Sequence, residues 1–269
     1  MITSLSNDKI IAMRKLVNLK ERKSTGLFLA EGLRVVAQAF DSSAAIEQVI
    51  YCPALLVSEF GLSLVEKAHL KSIPLLEVSE GVFASLARKE TPQGIAAVIQ
   101  QQWDTLFQVS PQPGDLWVGL QAIQNPGNLG TILRTCDAAG AQGVVLLDDC
   151  TDPYDPAAVK ASMGSIFTVR LIKSGFGQFK PWLDLQNSFA MIGSSDKASQ
   201  DCFLATYPDT CLLLMGSERQ GLPPEYLALC HQVVRIPMEG ACDSLNLSVA
   251  TGIILYQIYN QHRTIAQGP

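Results

Sequence analysis

Histidine is scarce in this 269-residue chain. Only His69, His231 and His262 occur, and none sits in a polar motif. That argues against histidine-based catalysis, the commonest route to proton transfer near neutral pH. The seven cysteines (Cys52, Cys136, Cys150, Cys202, Cys211, Cys230 and Cys242) are odd in number and form no C-x-x-C pair. A disulfide framework and a zinc site are therefore not expected, and reduced thiols in a cytoplasmic protein are. No G-x-G-x-x-G occurs, which argues against dinucleotide binding. No apolar run approaches the roughly 20 residues of a membrane helix. Residues 1–19 carry Lys9, Arg14 and Lys15 but no apolar core, so they are not expected to be a secretory signal. Internal repeats and low-complexity tracts are also lacking.

The charge present is unevenly spread. The net charge of −5 argues weakly against nonspecific nucleic-acid binding. Yet residues 1–34 hold seven Lys or Arg (Lys9, Arg14, Lys15, Lys20, Arg22, Lys23, Arg34) against Asp8, Glu21 and Glu31. Residues 101–269 are acidic on balance. A basic N-terminal face on an acidic body suits local contact with a polyanion. A solvated helix surface is the equally ready alternative.

Two segments differ in character. In residues 1–100 a capped helix is expected after Asn7, a strand at Phe28–Ala30 and a helix over Gly32–Phe40. A strand at Val49–Tyr51, a helix at Glu59–Leu70 and strands at Leu75–Val78 and Ile95–Ile99 complete a small α/β unit. Residues 101–114, rich in Gln, Pro and Ser, read as a linker. From Asp115 onward the strands are apolar throughout: 116–120, 143–147, 189–192, 211–215 and 233–236. Buried strands alternating with helices predict a mainly parallel sheet covered on both faces.

Three polar motifs follow these strands, where α/β proteins place their sites. The first is Asn125-Pro-Gly-Asn128-Leu-Gly-Thr-Ile-Leu-Arg134. Asn128 is expected to cap a helix beginning near Leu129, with Gly127 and Gly130 leaving its start open to an anion and Arg134 reaching back over it. The second is Gly216-Ser-Glu218-Arg-Gln-Gly221-Leu-Pro223, where Gly216 would admit a ligand close to the backbone and Glu218 would act as a carboxylate or bind an Arg. The third is Ile236-Pro-Met-Glu-Gly240 followed by Ser244-Leu-Asn246, with Ser244 and Asn246 expected to cap the last helix. Ala250, Thr251 and Gly252 within that helix indicate close packing, either in the core or against a second helix. Each motif alone also reads as an ordinary turn or capped helix.

In order and spacing, these motifs resemble those of the SpoU (TrmH) family of RNA ribose 2′-O-methyltransferases. Lys160-Ala-Ser-Met-Gly164, Phe28-Leu-Ala-Glu31-Gly32 and Thr91-Pro-Gln-Gly94 extend the resemblance over nearly the whole chain. Many members have Asn where Ser217 stands.

The resemblance implies a C-terminal α/β trefoil-knot (SPOUT) domain over residues 115–269, with a smaller L30e-like α/β RNA-binding domain over residues 1–100. It implies S-adenosylmethionine as cofactor, no metal, and a homodimer. Gly216, Ile236 and Leu245, with Ser194, match the cofactor contacts. Asn128, Arg134, Glu218, Ser244 and Asn246 match the polar active-site set. Arg134 would orient the target phosphate and either help take the 2′-hydroxyl proton or only position the ribose and stabilise alkoxide charge, and Glu218 would hold Arg134 or line the cofactor pocket. Ribosomal RNA is the expected substrate. A tRNA ribose, a base nitrogen, or a catalytically silent RNA-binding protein are the alternatives.

Overall fold

In a computed structural model of the chain, residues 1–87, 91–186 and 189–267 are described. The chain divides into two compact units: residues 1–102 with 152–168, and residues 103–151 with 169–269.

The first unit is built on a four-stranded sheet: β1 (Leu27–Glu31), β2 (Ile46–Tyr51), β3 (Leu75–Glu77) and β4 (Ile95–Gln100), in the order β1-β4-β2-β3. β4 pairs antiparallel with β1 and β2, and β2 runs parallel to β3. The expected strands and helices of this half all form. Helix α1 (Asp8–Lys15) is capped by Asn7, whose side chain accepts the Lys9 N–H. Ile10 and Met13, one turn apart, put its apolar side against α5 (Glu80–Leu86). Helix α3 (Leu33–Asp41) buries Val35, Val36, Ala39 and Phe40 and meets α4 (Glu59–Leu70). Residues 152–168 belong to this unit: α7 (Pro156–Ser162) packs on β1, and the Tyr154 ring lies 4.7 Å from Phe28.

One member of the basic N-terminal group is structural. Arg22, in α2 (Leu19–Thr25), is 2% exposed. Its Nε donates to Asp152 at 2.7 Å and its Nη1 to the carbonyls of Leu16 and Val17 at 2.9 and 2.6 Å. A guanidinium can be buried when its charge and donors are met in this way. Lys9, Lys15, Lys20, Lys23 and Arg34 remain exposed.

The second unit carries a parallel sheet of β5 (Leu116–Gln121), β6 (Gly143–Leu147), β7 (Arg170–Ser174), β8 (Ala190–Ser194), β9 (Gln200–Asp201), β10 (Cys211–Met215) and β11 (Gln232–Arg235). The order is β7-β6-β5-β10-β8-β11-β9. The apolar strands are legible in the sequence, whereas β7 and β9 are not. β9 is two residues long, and β7 carries Arg170 and Lys173 among its apolar residues. Helices α8 (Phe176–Asp184) and α9 (Pro224–Leu227) join a core around Trp117, Phe179 and Tyr226. Helix α10 (Leu247–Gln267) packs on α6 (Pro126–Ala138) and β10. Gly252 faces Thr135 of α6, and Thr251 is buried, so these small residues serve contact within the chain.

Because the strands are parallel, their C-terminal ends share one edge. From β5 the chain moves outward to β6 and β7, then returns to the far side of β10. The crevice between β5 and β10 is thus the point where strand order reverses, the usual ligand position in open α/β sheets.

Candidate active site

The loops leaving β5 and β10 flank a groove of about 790 Å³ lined by Gln124, Asn125, Asn128, Glu218, Arg219 and Gln220. Local sequence explains the first loop. Helix α6 starts at Pro126, with Asn125 as its cap; Asn125 Oδ1 accepts the N–H groups of Gly127 and Asn128 at 2.8 and 3.1 Å. This corrects the expectation that Asn128 caps the helix and that the helix start is bare. An Asn followed by Pro at the first helical position is the sequence signature that locates this start.

Released from capping, Asn128 joins the three motifs. Its Nδ2 donates to Glu218 Oε1 at 3.0 Å, and its Oδ1 accepts Asn246 Nδ2 at 3.0 Å. Asn246 Oδ1 in turn accepts the Ser248 N–H at 2.9 Å and its hydroxyl at 2.7 Å. The direction of this chain is fixed at both ends. An ionised carboxylate only accepts and a backbone N–H only donates, so each amide has one orientation that satisfies both neighbours.

Glu218 also accepts the N–H of Gln124 and of Asn125, each at 3.3 Å. Partial burial pushes its carboxyl up, but the Asn128 amide and these backbone N–H groups outweigh that and hold it below the ordinary carboxylate value. It therefore clamps the β5 loop and does not hold Arg134, as one of its expected roles required. Arg134 lies six residues beyond Asn128, about 9 Å along the α6 axis. It is exposed and makes no hydrogen bond or ion pair among the described residues. Ser244 stands apart from the amide chain and does not cap α10; its hydroxyl donates to Asp243 at 3.3 Å.

The expected cofactor residues fall at neighbouring strand ends. β10 pairs with β8, and β8 with β11, so Gly216, Ser194 and Ile236 follow or end three adjacent strands. Leu245 is 37% exposed in the loop before α10. A further need for glycine at 216 lies in the loop itself. A Cβ there would lie 2.0 Å from Gly221 C and 2.2 Å from Leu222 N, so the loop closes on its own backbone. No cluster of metal-ligating side chains occurs among the described residues, and no helix of theirs is long and apolar enough to cross a membrane.

Residues 115–256 match the SpoU rRNA methylase family. The chain belongs to that family. Residues 7–97 match the MRM3-like substrate binding domain, so both halves of this SpoU chain have a recognised counterpart. A 23S rRNA (uridine(2479)-2′-O)-methyltransferase of Streptomyces viridochromogenes is 28% identical over 91% of this chain and 86% of its own. A 23S rRNA (guanosine(2553)-2′-O)-methyltransferase, RlmP, of Bacillus subtilis is 27% identical over 96% of this chain and 98% of its own. An AdoMet-bound rRNA methyltransferase of Sinorhizobium meliloti shares the fold with a TM-score of 0.88 at 34% identity, covering 96% and 97% of the two chains.

Gln124, Asp148 and Tyr226 carry no signal as site residues in the sequence, yet Gln124 lines the groove and donates to the Asp149 carbonyl, and the Tyr226 hydroxyl donates to Asp148. Asp148 directly follows an apolar strand, which is the feature that could draw attention to it.

Proposed function

We propose that this SpoU-family chain is an S-adenosylmethionine-dependent RNA 2′-O-ribose methyltransferase acting on 23S-type ribosomal RNA. The observation that carries the reading is the Glu218–Asn128–Asn246 chain, which joins the three motifs beside a polar groove at the strand-order reversal. Ribosomal RNA is favoured over tRNA because two relatives that match along more than nine-tenths of the chain are named for 23S rRNA. The substrate-binding half at residues 7–97 supports the same choice.

The strand ends fit the cofactor. Gly216, Ser194 and Ile236 bring no charged side chain, leaving main-chain amides and carbonyls to meet a ligand that carries an ammonium, a carboxylate and a sulfonium, and Leu245 adds apolar surface. Bound S-adenosylmethionine supplies the electrophilic methyl group. The protein's remaining task is to place the 2′-hydroxyl, and positioning of this kind can contribute a large share of the rate. Asn128 and Asn246, with their orientations locked, present the hydroxyl with a defined donor and acceptor. Glu218 stays ionised and holds the groove in shape. Arg134 has a free guanidinium for a backbone phosphate and for alkoxide charge as it develops. A guanidinium is not deprotonated in proteins, so as the oxygen–methyl bond forms and the methyl–sulfonium bond breaks, leaving a neutral thioether, the 2′-hydroxyl proton passes to solvent water.

Further parts of the reading are a homodimer and a cytoplasmic location. Exposed Val249 and Tyr256 on α10 support the first, as do Phe203 and Leu204, whose turn is bonded to α10 through Gln257. Unpaired cysteines support the second.

The test is incubation with labelled S-adenosylmethionine and total RNA, followed by digestion to nucleosides. Label in 2′-O-methyl nucleosides of 23S RNA is expected. No transfer to RNA, with no cofactor binding by calorimetry, would overturn the enzyme; label in a base would overturn the ribose. Arg134→Ala should abolish transfer while cofactor affinity stays within about twofold.

A further inference from the structure

Both loops that meet at Glu218 are rooted on one carboxylate outside the groove. Asp148 follows β6 in a left-handed conformation, φ 60°, which Asp tolerates better than most residues. Its Oδ2 accepts the Tyr226 hydroxyl at 2.8 Å and Gln121 Nε2 at 3.1 Å, and its Oδ1 accepts the Phe176 N–H at 3.1 Å. Gln121 is the last residue of β5, so the loop 122–125 begins at its carbonyl. Tyr226 lies in α9, into which the loop 216–223 runs, and its side chain is fully buried.

The two loops are not held alike. The first has other supports from the end of β6 and the turn after it: Ala122 N–H to Leu147 O at 3.0 Å, Gln124 Nε2 to Asp149 O at 2.7 Å, and Thr151 N–H to Ile123 O at 2.7 Å. These involve main-chain atoms of that segment and survive loss of the Asp148 side chain. The second loop is tied to that turn by the Tyr226–Asp148 bond. Burial, with the Asp148 hydrogen bond, pushes the phenol well above its ordinary value, so it stays a donor at any working pH.

We infer that Asp148 is a positioning residue of the transfer site: through Tyr226 it sets where the loop 216–223 stands against the loop 122–125, and so where Glu218 meets Asn128. The inference rests on the transferase reading for its effect on rate, but its structural content does not. Displacement of a site by about 1 Å from a distant change can cost on the order of a hundredfold.

Tyr226→Phe and Asp148→Asn test this by hydrogen exchange and by kinetics on the full chain. The Gly221, Tyr226 and Leu227 amides, which donate to Ser217 O and Pro223 O, report on the second loop and α9. The Ala122 and Thr151 amides report on the first loop and its supporting turn. In both variants, protection should fall about tenfold or more at the first group and stay within twofold at the second. The rate constant kcat should fall about tenfold, with RNA affinity within twofold. Unchanged protection at Gly221, Tyr226 and Leu227 in Tyr226→Phe, which removes one hydroxyl, would overturn the inference. So would equal loss at all five amides, the mark of a general structural residue. If wild-type protein transfers no methyl group, the function proposal fails, and the exchange pattern still decides the role of Asp148.

Discussion

Glu218 Oε1 lies 3.0 Å from Asn128 Nδ2, a bond that spans 90 residues of chain and fastens the loop after β10 to the first turn of α6. Neither residue is deeply buried, so the bond contributes little to overall stability. Its effect is on the shape of the groove. Asn128→Ala removes the link to Glu218 and the link to Asn246 together. Methyl transfer should fall at least a hundredfold, while the unfolding free energy changes by no more than about 1 kcal/mol. Asn128→Asp should be worse for transfer, because it places a second carboxylate against Glu218. Transfer assays beside denaturant unfolding of the three proteins check both statements.

The pH dependence follows from the same contacts. The Glu218 carboxyl is held below its ordinary value in the folded protein. A depressed folded-state pKa contributes stability that is present above the unfolded value, near 4.3, and is lost as pH falls through the folded value. Glu218→Gln removes the contribution at every pH. Wild type and Glu218→Gln should therefore differ in unfolding midpoint at pH 7 and converge as pH falls through the folded value. A gap that persists or widens on acidification would contradict the assignment. Because Glu218 is exposed, the gap at pH 7 should be small.

The contrast between what can and cannot be read from the sequence has a physical cause. Strands β5, β6 and β10 are buried on both faces and so are written as unbroken apolar runs, from Leu116, Gly143 and Cys211 onward. Helices α1 and α4 begin at Asn7 and Ser58, whose side chains accept a backbone N–H of the first turn, a local signal. The family resemblance supplies the three motifs as a set, and residue patterns alone supply their position after strands. The bonds between the motifs are illegible, since Asn128, Glu218 and Asn246 are far apart in sequence and meet only through strand order. The same holds for Asp148 with Tyr226. Asn128 reads as a cap because Asn is a favoured cap, but Asn125, with Pro126 behind it, fills that place instead.

Gly216 offers a separate test of the loop. A methyl group there would sit about 2 Å from the Gly221–Leu222 backbone, a separation that side-chain rotation cannot relieve. Gly216→Ala should force the loop open and carry Glu218 away from Asn128. Loss of transfer is expected together with a drop of about 2 kcal/mol or more in stability, in the range of overpacking strain. Gly81→Ala, in α5 and outside the three motifs, is the control, since a Cβ there meets no atom within 4 Å. Thermal unfolding and transfer should be altered in the first variant and nearly unchanged in the second.

The basic residues near the N-terminus divide into two kinds, and RNA binding separates them. Arg22 is buried against Asp152 at 2.7 Å and Asp155 at 3.6 Å, so it has no surface to offer a phosphate. Arg22→Ala strands Asp152, whose side chain is 12% exposed, and should cost about 3–5 kcal/mol, seen as a lower denaturant midpoint. Lys20 and Lys23 in the same helix are exposed. Replacing both with Ala should leave the midpoint within about 0.5 kcal/mol. If they neutralise phosphates of a single strand, the slope of log affinity against log salt should become shallower by about 0.7 for each phosphate released. Filter binding of 23S RNA across a salt series measures that slope. An unchanged slope for the double lysine variant would remove this helix from the RNA-binding face, and the exposed Lys9, Lys15 and Arg34 would be the next cations to replace.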